Sequence, residues 1–514
     1  MRLLFGLLTC CVALNAGVWH FSVETGVRNG RAYLWIPPDC QRVRGIILGQ
    51  QVILEKYAFE RPVIRQAAIA ECLAEVLVYP SFDSEFHYDK EHGAEKVLQR
   101  ILDALAAESG YAELAQAPIL TMGHSGSVIF SWNLAYWNPA RTIAVVGLHG
   151  AGTHPPPWDP KAKVDGVPIL GISGQYESWG NPRQSLEMHW RWLRGTLLEF
   201  RAMNERSLMS MVVDPGAGHF SFNPELADYV ALFIRKAAHC RIRDDGPVLR
   251  DLPLESGWLT DSTFMTPSRF APAPYSEYKG DPSLALWHMD EELARGAEAF
   301  GESRKGKLDQ RVTFVQDGKR LPAAWLEDVK FEPEQDGGTL KLHAAFVSET
   351  PTGVADSGKP LGHAEEPILF RLIGGWMGGG EQVSGNVFRI APSNFGLPDN
   401  LMVLAYHPGD DKYSYTEQPC QIEYPKLLNI TDTIDFPAPA NVRFGAAGME
   451  LHAKSSSGAP VEFYFQSGPA QGESGRVRFV PIPIRTKFPM KVTVVAYEPS
   501  RHAEPVTRTF LIEK

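Results

Sequence analysis

One stretch limits the folds open to this chain more than any other. Ala117 to Trp132 reads APILTMGHSGSVIFSW. The apolar run Pro118 to Met122 has the length and character of a buried strand. It runs into Gly123-His124-Ser125-Gly126-Ser127, and an apolar helical pattern (Val128, Ile129, Phe130, Trp132) follows at once. A strand that passes straight into a helix through glycines belongs to a parallel α/β sheet, and it leaves Ser125 at the apex of the turn. The residues two before and two after that serine must be small, because the strand and helix backbones approach closely there. Here they are Gly123 and Ser127, so the pattern is G-x-S-x-S in place of the usual G-x-S-x-G. The plain alternative for Ser125 is a helix N-cap.

The flanking sequence repeats the same grammar. Val18 to Ile36 alternates about an Arg28-Asn29-Gly30 turn, which predicts a hairpin. Strands are expected over Arg44–Leu48, Ala74–Tyr79, Thr142–Leu148, Val167–Ile172 and Leu208–Val213. Helices are expected over Glu60–Leu73, Ala94–Leu105, Gln184–Phe200 and Leu226–Ala238. Strands alternating with helices give a doubly wound, mainly parallel α/β sheet spanning 18–242, with its active site at the carboxyl ends of the strands.

At 514 residues the chain is too long for one core. Residues 243–309 read as a connector with one helix, Asp281 to Ala299, capped by Asp281 with Pro282 at its first position. From Gln310 the hydrophobic period becomes two. Residues 310–424 read as a β-rich domain and 425–514 as an immunoglobulin-like β-sandwich, so two small all-β modules follow the α/β domain. Arg2 and the apolar run Leu3–Ala16 suit a signal peptide over 1–17 and are short for a membrane span; a lipoprotein leader at Cys10 and a buried first strand are the alternatives. No other apolar run approaches membrane length. The net charge of −10 argues against nucleic acid as a partner. Of the six cysteines, Cys40, Cys72, Cys240 and Cys420 lie beyond that leader. Their spacing matches no metal or redox motif and leaves open one disulfide or free thiols. Asp83, His87, Asp89 and His92 match no ligand pattern either and read as solvated loop residues. No metal or cofactor is expected.

A serine hydroxyl needs a base within hydrogen-bond reach, and the base needs an acid to orient it. After the last strand comes Asp214-Pro215-Gly216-Ala217-Gly218-His219, whose glycines allow a sharp path that brings His219 over the sheet edge. After the strand before it comes Gly174-Gln175-Tyr176-Glu177, which offers Glu177 as the acid. Asp214 is the rival, on the same loop as His219, and Asp159 and Asp165 are more distant ones. An oxyanion needs two backbone N–H groups; Gly126 and Gln50 are the candidates. His149, Trp158, Tyr176, Trp179 and Phe82 are placed to rim the pocket, with aromatic packing as the plain alternative.

The segments GHSGS, GQYE and PGAGHF together resemble the α/β-hydrolase superfamily over about 18–242, and within it the esterase and polyester-depolymerase branch. The remainder resembles the accessory β domains of large secreted bacterial hydrolases. The resemblance implies a Ser125–His219–Glu177 triad and a secreted or periplasmic serine ester hydrolase. Its expected substrate is a small ester or an acetyl or feruloyl ester on a polysaccharide. The Ser127 elbow and the Gln in the oxyanion loop depart from that branch's common forms. A serine peptidase on the same fold and a non-catalytic scaffold that binds glycans or proteins are the other readings.

Overall fold

The computed structural model describes residues 17–90, 93–150, 154–177, 188–203, 206–244, 246, 248–261, 268–322, 324–334, 338–350, 357–365, 367–424, 430–473 and 475–514. The expected leader over 1–17 lies almost wholly outside them. Among them, no helix is long and apolar enough to cross a membrane.

The amino-terminal half folds around one sheet of eight strands. In chain order these are β1 (Phe21–Glu24), β2 (Arg31–Trp35), β3 (Gly45–Gln50), β4 (Leu73–Tyr79), β5 (Ile119–His124), β6 (Thr142–Leu148), β7 (Pro168–Gly174) and β8 (Leu208–Asp214). Their spatial order is 1-2-4-3-5-6-7-8. β2 runs antiparallel to its neighbours β1 and β4, and every pairing from β4 to β8 is parallel. The crossovers are α1 (Glu55–Phe59), α2 (Pro62–Glu71), α3 (Ala94–Ser109), α4 (Ser127–Trp137) and α5 (Met188–Met203), and α6 (Pro224–Arg241) closes the domain.

Side chains that alternate along the strands feed two cores. On one face Ile119 and Val145 pack with Leu98 and Ile101 of α3, Phe130 of α4 and Leu197 of α5. On the other face Leu120 and Met122 pack with Ile64 of α2 and Val230 and Ile234 of α6. A sheet covered on both faces explains why β5 to β8 are buried at every residue. Local signals set the helix ends. Pro62 and Pro224 occupy first-turn positions of their helices, Asn223 accepts from Leu226 N at 2.8 Å, and α3 stops at Gly110 with φ 84°. Cys72, in left-handed backbone at the end of α2, is disulfide-bonded to Cys40. Cys240 and Cys420 are free.

The segment 243–309 departs from expectation. Trp258–Thr260, Ala273–Pro274 and Leu286–His288 form a small antiparallel sheet. The single helix expected over Asp281–Ala299 is therefore two pieces. Asp281 caps only a 3₁₀ turn, Pro282–Leu284, and α7 (Glu291–Glu302) starts after Asp290, whose side chain accepts from Leu293 N at 3.0 Å. The strand wins between them because it buries Leu286 and Trp287 almost completely. A continuous helix would have to pull them off the sheet domain.

Beyond Gln310, three sheets surround a core that contains Phe314, Leu342, Phe388 and Val403. The described residues from 430 on form sheets of two, four and three strands, and the larger two share Val477, Val492 and Phe510. Neither part hangs free. The carboxyl-terminal sheets share one apolar cluster with Phe21 and Leu34. Backbone bonds from Gly468 N to Trp19 O (2.9 Å) and Lys487 N to Ser109 O (3.0 Å) join them to the α/β domain.

Candidate active site

β5 delivers Ser125 into a turn with φ 53°, a left-handed conformation that is costly for a residue with a Cβ. The surroundings hold it there. Ser125 N donates to Leu148 O at 3.0 Å. Gly123 has no room for a Cβ, which would run into the backbone of Ser127. Ser127 does more than fill the small fifth position of the motif. Its hydroxyl accepts from His124 N at 2.8 Å and donates to Glu55 Oε1. Glu55 is fully buried at the start of α1, and it also accepts from His124 N (2.7 Å), Val52 N (2.8 Å) and Ile53 N (3.2 Å). One carboxylate thus joins the serine turn to the loop after β3. Burial pushes its proton affinity up, against the pull of these donors.

His219 arrives from the loop after β8. Its Nε2 lies 2.9 Å from Ser125 Oγ, and its Nδ1 bonds Glu177 Oε1. Glu177 follows β7 and is 2% exposed. Its second oxygen accepts from Gly174 N at 2.7 Å and from His149 Nδ1 at 2.9 Å. Burial works to raise the Glu177 pKa, but the two histidines overcome it and hold the carboxyl well below the usual range. Burial works to lower His149, and Glu177 outweighs it, so His149 is raised. His124, edge-on to the His149 ring and tilted against that of His219, is lowered well below the ordinary imidazole value by burial and then by the charges of His219 and His149.

His149 is therefore not a rim residue. It is completely buried, and its Nε2 has no hydrogen-bond partner among the described residues. Its place is behind the acid. His149→Leu removes one of three donors that orient Glu177. The expected result is a roughly 10- to 100-fold fall in kcat with KM little changed, read from steady-state ester hydrolysis. An unchanged kcat would show that the second histidine only packs.

The β-rich part completes the site. Trp325 lies against His219 (ring centroids 4.7 Å apart), and its indole N–H donates to Glu177 O at 3.0 Å. Glu417 accepts from Gly218 N at 3.0 Å and from Ser221 Oγ at 3.1 Å. Gly216, with φ 73°, lies so close to the Tyr415 backbone that no Cβ fits. No local pattern marks Trp325, Glu417 or Glu55. The one hint is Ser127, a buried hydroxyl that demands an acceptor.

The remaining candidates fall as follows. Gly126 stands at the amino end of α4, where first-turn amides lack intrahelical acceptors. Gln50 ends β3. Its side chain braces the next loop, accepting from Ser81 Oγ (3.0 Å) and Phe82 N (3.1 Å) and donating to Asp83 O (2.9 Å). The amides of Gln51, Val52 and Ile53 are already given to Val78 O and Glu55. Asp214 accepts from Asn223 at 2.7 Å and does not contact His219. Burial, then Glu417, pushes its pKa up to about 7. Asp159 is occupied by Tyr88. Phe82 packs edge-on against Phe130 in the core. Trp158 lies tilted against His87, 4.6 Å between centroids, and Tyr176 is covered by the Arg311 guanidinium. Both pack against neighbouring loops and do not stand free at the serine. Trp179 lies outside the described residues. Among those residues, no group of three or more His, Cys, Asp or Glu side chains could hold a metal.

A sheet in the order 1-2-4-3-5-6-7-8 with β2 reversed, a strained serine after β5, and loops carrying an acid after β7 and a histidine after β8 define the α/β-hydrolase fold. No protein-family model and no curated sequence matches the chain. Among solved structures the chain is similar to a fluorophosphonate-binding serine hydrolase of Staphylococcus aureus, at 10% identity over 42% of this chain and 97% of that one, with TM-score 0.29. It is similar to a soluble variant of the monoglyceride lipase of Saccharomyces cerevisiae, at 10% identity over 44% and 96% of the two chains, with TM-score 0.29. It is similar also to an S-formylglutathione hydrolase of Agrobacterium tumefaciens, at 13% identity over 43% and 93%, with TM-score 0.29.

Proposed function

We propose that the protein is an exported serine hydrolase that cleaves carboxylic esters through an acyl-enzyme. The observation that carries this reading is the 2.9 Å approach of His219 Nε2 to Ser125 Oγ, with His219 Nδ1 on buried Glu177. Ser125 Oγ attacks the ester carbonyl as His219 takes its proton, and His219 returns that proton to the departing alcohol. Glu177 holds the imidazole in one orientation and offsets its charge. The N–H groups of Gly126 and Gln50 are the donors assigned to the oxyanion. Water, activated by His219, then releases the acid. The apolar leader and the Cys40–Cys72 disulfide support export to an oxidising compartment. Acetyl or feruloyl esters on polysaccharides suit an exported esterase that carries β modules.

The test is a fluorophosphonate probe on the full-length protein. The expected result is one stoichiometric adduct, located by peptide mass on Ser125, and no adduct on Ser125→Ala. The same variant loses p-nitrophenyl acetate hydrolysis and keeps its melting temperature. An adduct elsewhere, or turnover retained without Ser125, overturns the reading. Preference for aminoacyl anilides over acetyl and feruloyl esters would make the enzyme a peptidase instead.

A further inference from the structure

The two halves of an ester meet different walls of a serine site. The alcohol oxygen takes its proton from His219 Nε2, so in the reacting complex it stands about 2.6–3.2 Å from that nitrogen. The group attached to that oxygen therefore lies against whatever flanks the imidazole. The carbonyl oxygen turns to the amide donors, and the acyl group takes the remaining direction.

Among the described residues, the rings of His124, His149, Phe220 and Trp325 meet the ring of His219. The first three are at most 1% exposed, whereas Trp325 is 38% exposed. Its ring centroid is 4.7 Å from that of His219 and 4.8 Å from that of Phe220. An indole that touches the base and is also open to solvent is the surface an incoming alcohol group meets.

The indole is held in place. Its Nε1 donates to Glu177 O at 3.0 Å. The chain on either side of it is tied to one strand, Thr416–Glu423. Gln418 Nε2 donates to Ala324 O at 2.9 Å, and Glu327 pairs with Cys420 where the strand Glu327–Val329 joins in parallel. Glu417, the residue before Gln418, accepts from Gly218 N at 3.0 Å in the loop that carries His219. Neighbouring residues of one strand thus brace both the base and the indole, so their spacing is set by a β-ladder and not by two independent loops.

A fixed indole has a chemical preference. Its one N–H is spent on Glu177, so the exposed part offers π surface with no hydrogen bond to give. A short alkyl group covers little of that surface. A flat ring covers it well, an aromatic one by stacking and a pyranose by its C–H face.

We propose that Trp325 sets the alcohol specificity of the enzyme, as a platform that the β-rich part supplies for a ring-bearing alcohol. This inference rests on the serine ester hydrolase reading above. It narrows the substrate to esters whose leaving alcohol carries a neutral flat ring, aromatic or sugar.

The experiment measures kcat and KM of full-length wild type, Trp325→Ala, Trp325→Leu and Trp325→Phe. The alcohol series is ethyl acetate, benzyl acetate and methyl 2-O-acetyl-β-xylopyranoside, with ethyl benzoate as the acyl-side control. Comparing each variant with wild type on the same ester cancels the intrinsic reactivity of the leaving group. Trp325→Ala should lose roughly 3- to 10-fold more kcat/KM on the benzyl or the xyloside ester than on ethyl acetate, mostly through KM. Trp325→Leu, which fills the space without a π face, should discriminate in the same way and serves if the alanine variant does not fold. Trp325→Phe keeps a ring but not the N–H and should recover most of the difference. Extra loss on the benzyl ester alone assigns an aromatic alcohol, and on the xyloside alone a sugar. An equal loss on every ester overturns the proposal, because the indole would then act only by positioning His219. So does a selectivity that no variant changes, or an extra loss confined to ethyl benzoate, which would put the indole on the acyl side. Fluorophosphonate labelling keeps the two readings apart. An adduct on Ser125 with unaltered alcohol selectivity sinks this inference alone, whereas no adduct on the wild type sinks the ester reading and this one with it.

Discussion

His219→Ala lowers kcat/KM for p-nitrophenyl acetate by roughly four to six orders of magnitude. The size of the effect follows from the geometry. Ser125 Oγ is 2.9 Å from His219 Nε2, and among the described residues no other base bonds that hydroxyl. Without the imidazole, the hydroxyl must attack with its proton still attached, and the alcohol must leave without one. The two residues act as a unit, so Ser125→Ala/His219→Ala should be no slower than either single variant. Steady-state rates of the three proteins, with thermal melts to show that each is folded, decide the matter. A loss of only tenfold in His219→Ala, or rate losses that multiply in the double variant, would mean that the base lies elsewhere.

The same geometry sets the β-rich part against the loop that carries His219. The His219 loop leaves the sheet through Gly216 and Gly218, and glycine loops do not hold a side chain still by themselves. Glu417 and Tyr415 brace it from the side, and Trp325 closes over the imidazole. Part of the wall around the base is thus supplied by residues more than a hundred positions further along the chain.

That long reach also explains what could and could not be read from the residues alone. Continuous apolar strands, a glycine turn around Ser125 and polar residues just past β7 and β8 are local features. They sufficed to predict a mainly parallel sheet and to point to Ser125, Glu177 and His219, which the structure brings within bonding distance. His149 was legible as a strand-end residue but not as the second partner of Glu177, because nothing local says which way a loop imidazole turns. The segment around Asp281 shows the opposite limit. Asp-Pro there is a good helix start, yet pairing of Leu286–His288 with Trp258–Thr260 buries more apolar surface and overrides it. Trp325 and Glu417 act only through contacts about 100 to 200 positions away in sequence, and periodicity carries no information at that range.

Glu55→Ala is the second large effect, and it acts on stability and rate together. The carboxylate is fully buried and accepts from three backbone amides, Val52, Ile53 and His124, and from the Ser127 hydroxyl. Truncation strands several of these donors at about 1–3 kcal/mol each, so the domain should lose roughly 3–6 kcal/mol. The melting temperature should fall by about 10 °C or more. Ester hydrolysis should fall too, because both the serine turn and the loop after β3 lose their common anchor. The unusual Ser127 is explained by the same bond, which yields a sharper test. Ser127→Gly restores the common G-x-S-x-G pattern, but it takes a donor from Glu55 and is expected to destabilise. In Glu55→Ala the same change should cost much less, because the acceptor is already gone. A double-mutant cycle read by denaturant unfolding should show a coupling of about 1–3 kcal/mol. Additivity within about 0.5 kcal/mol would separate Ser127 from Glu55 and leave the serine in the motif without a physical reason.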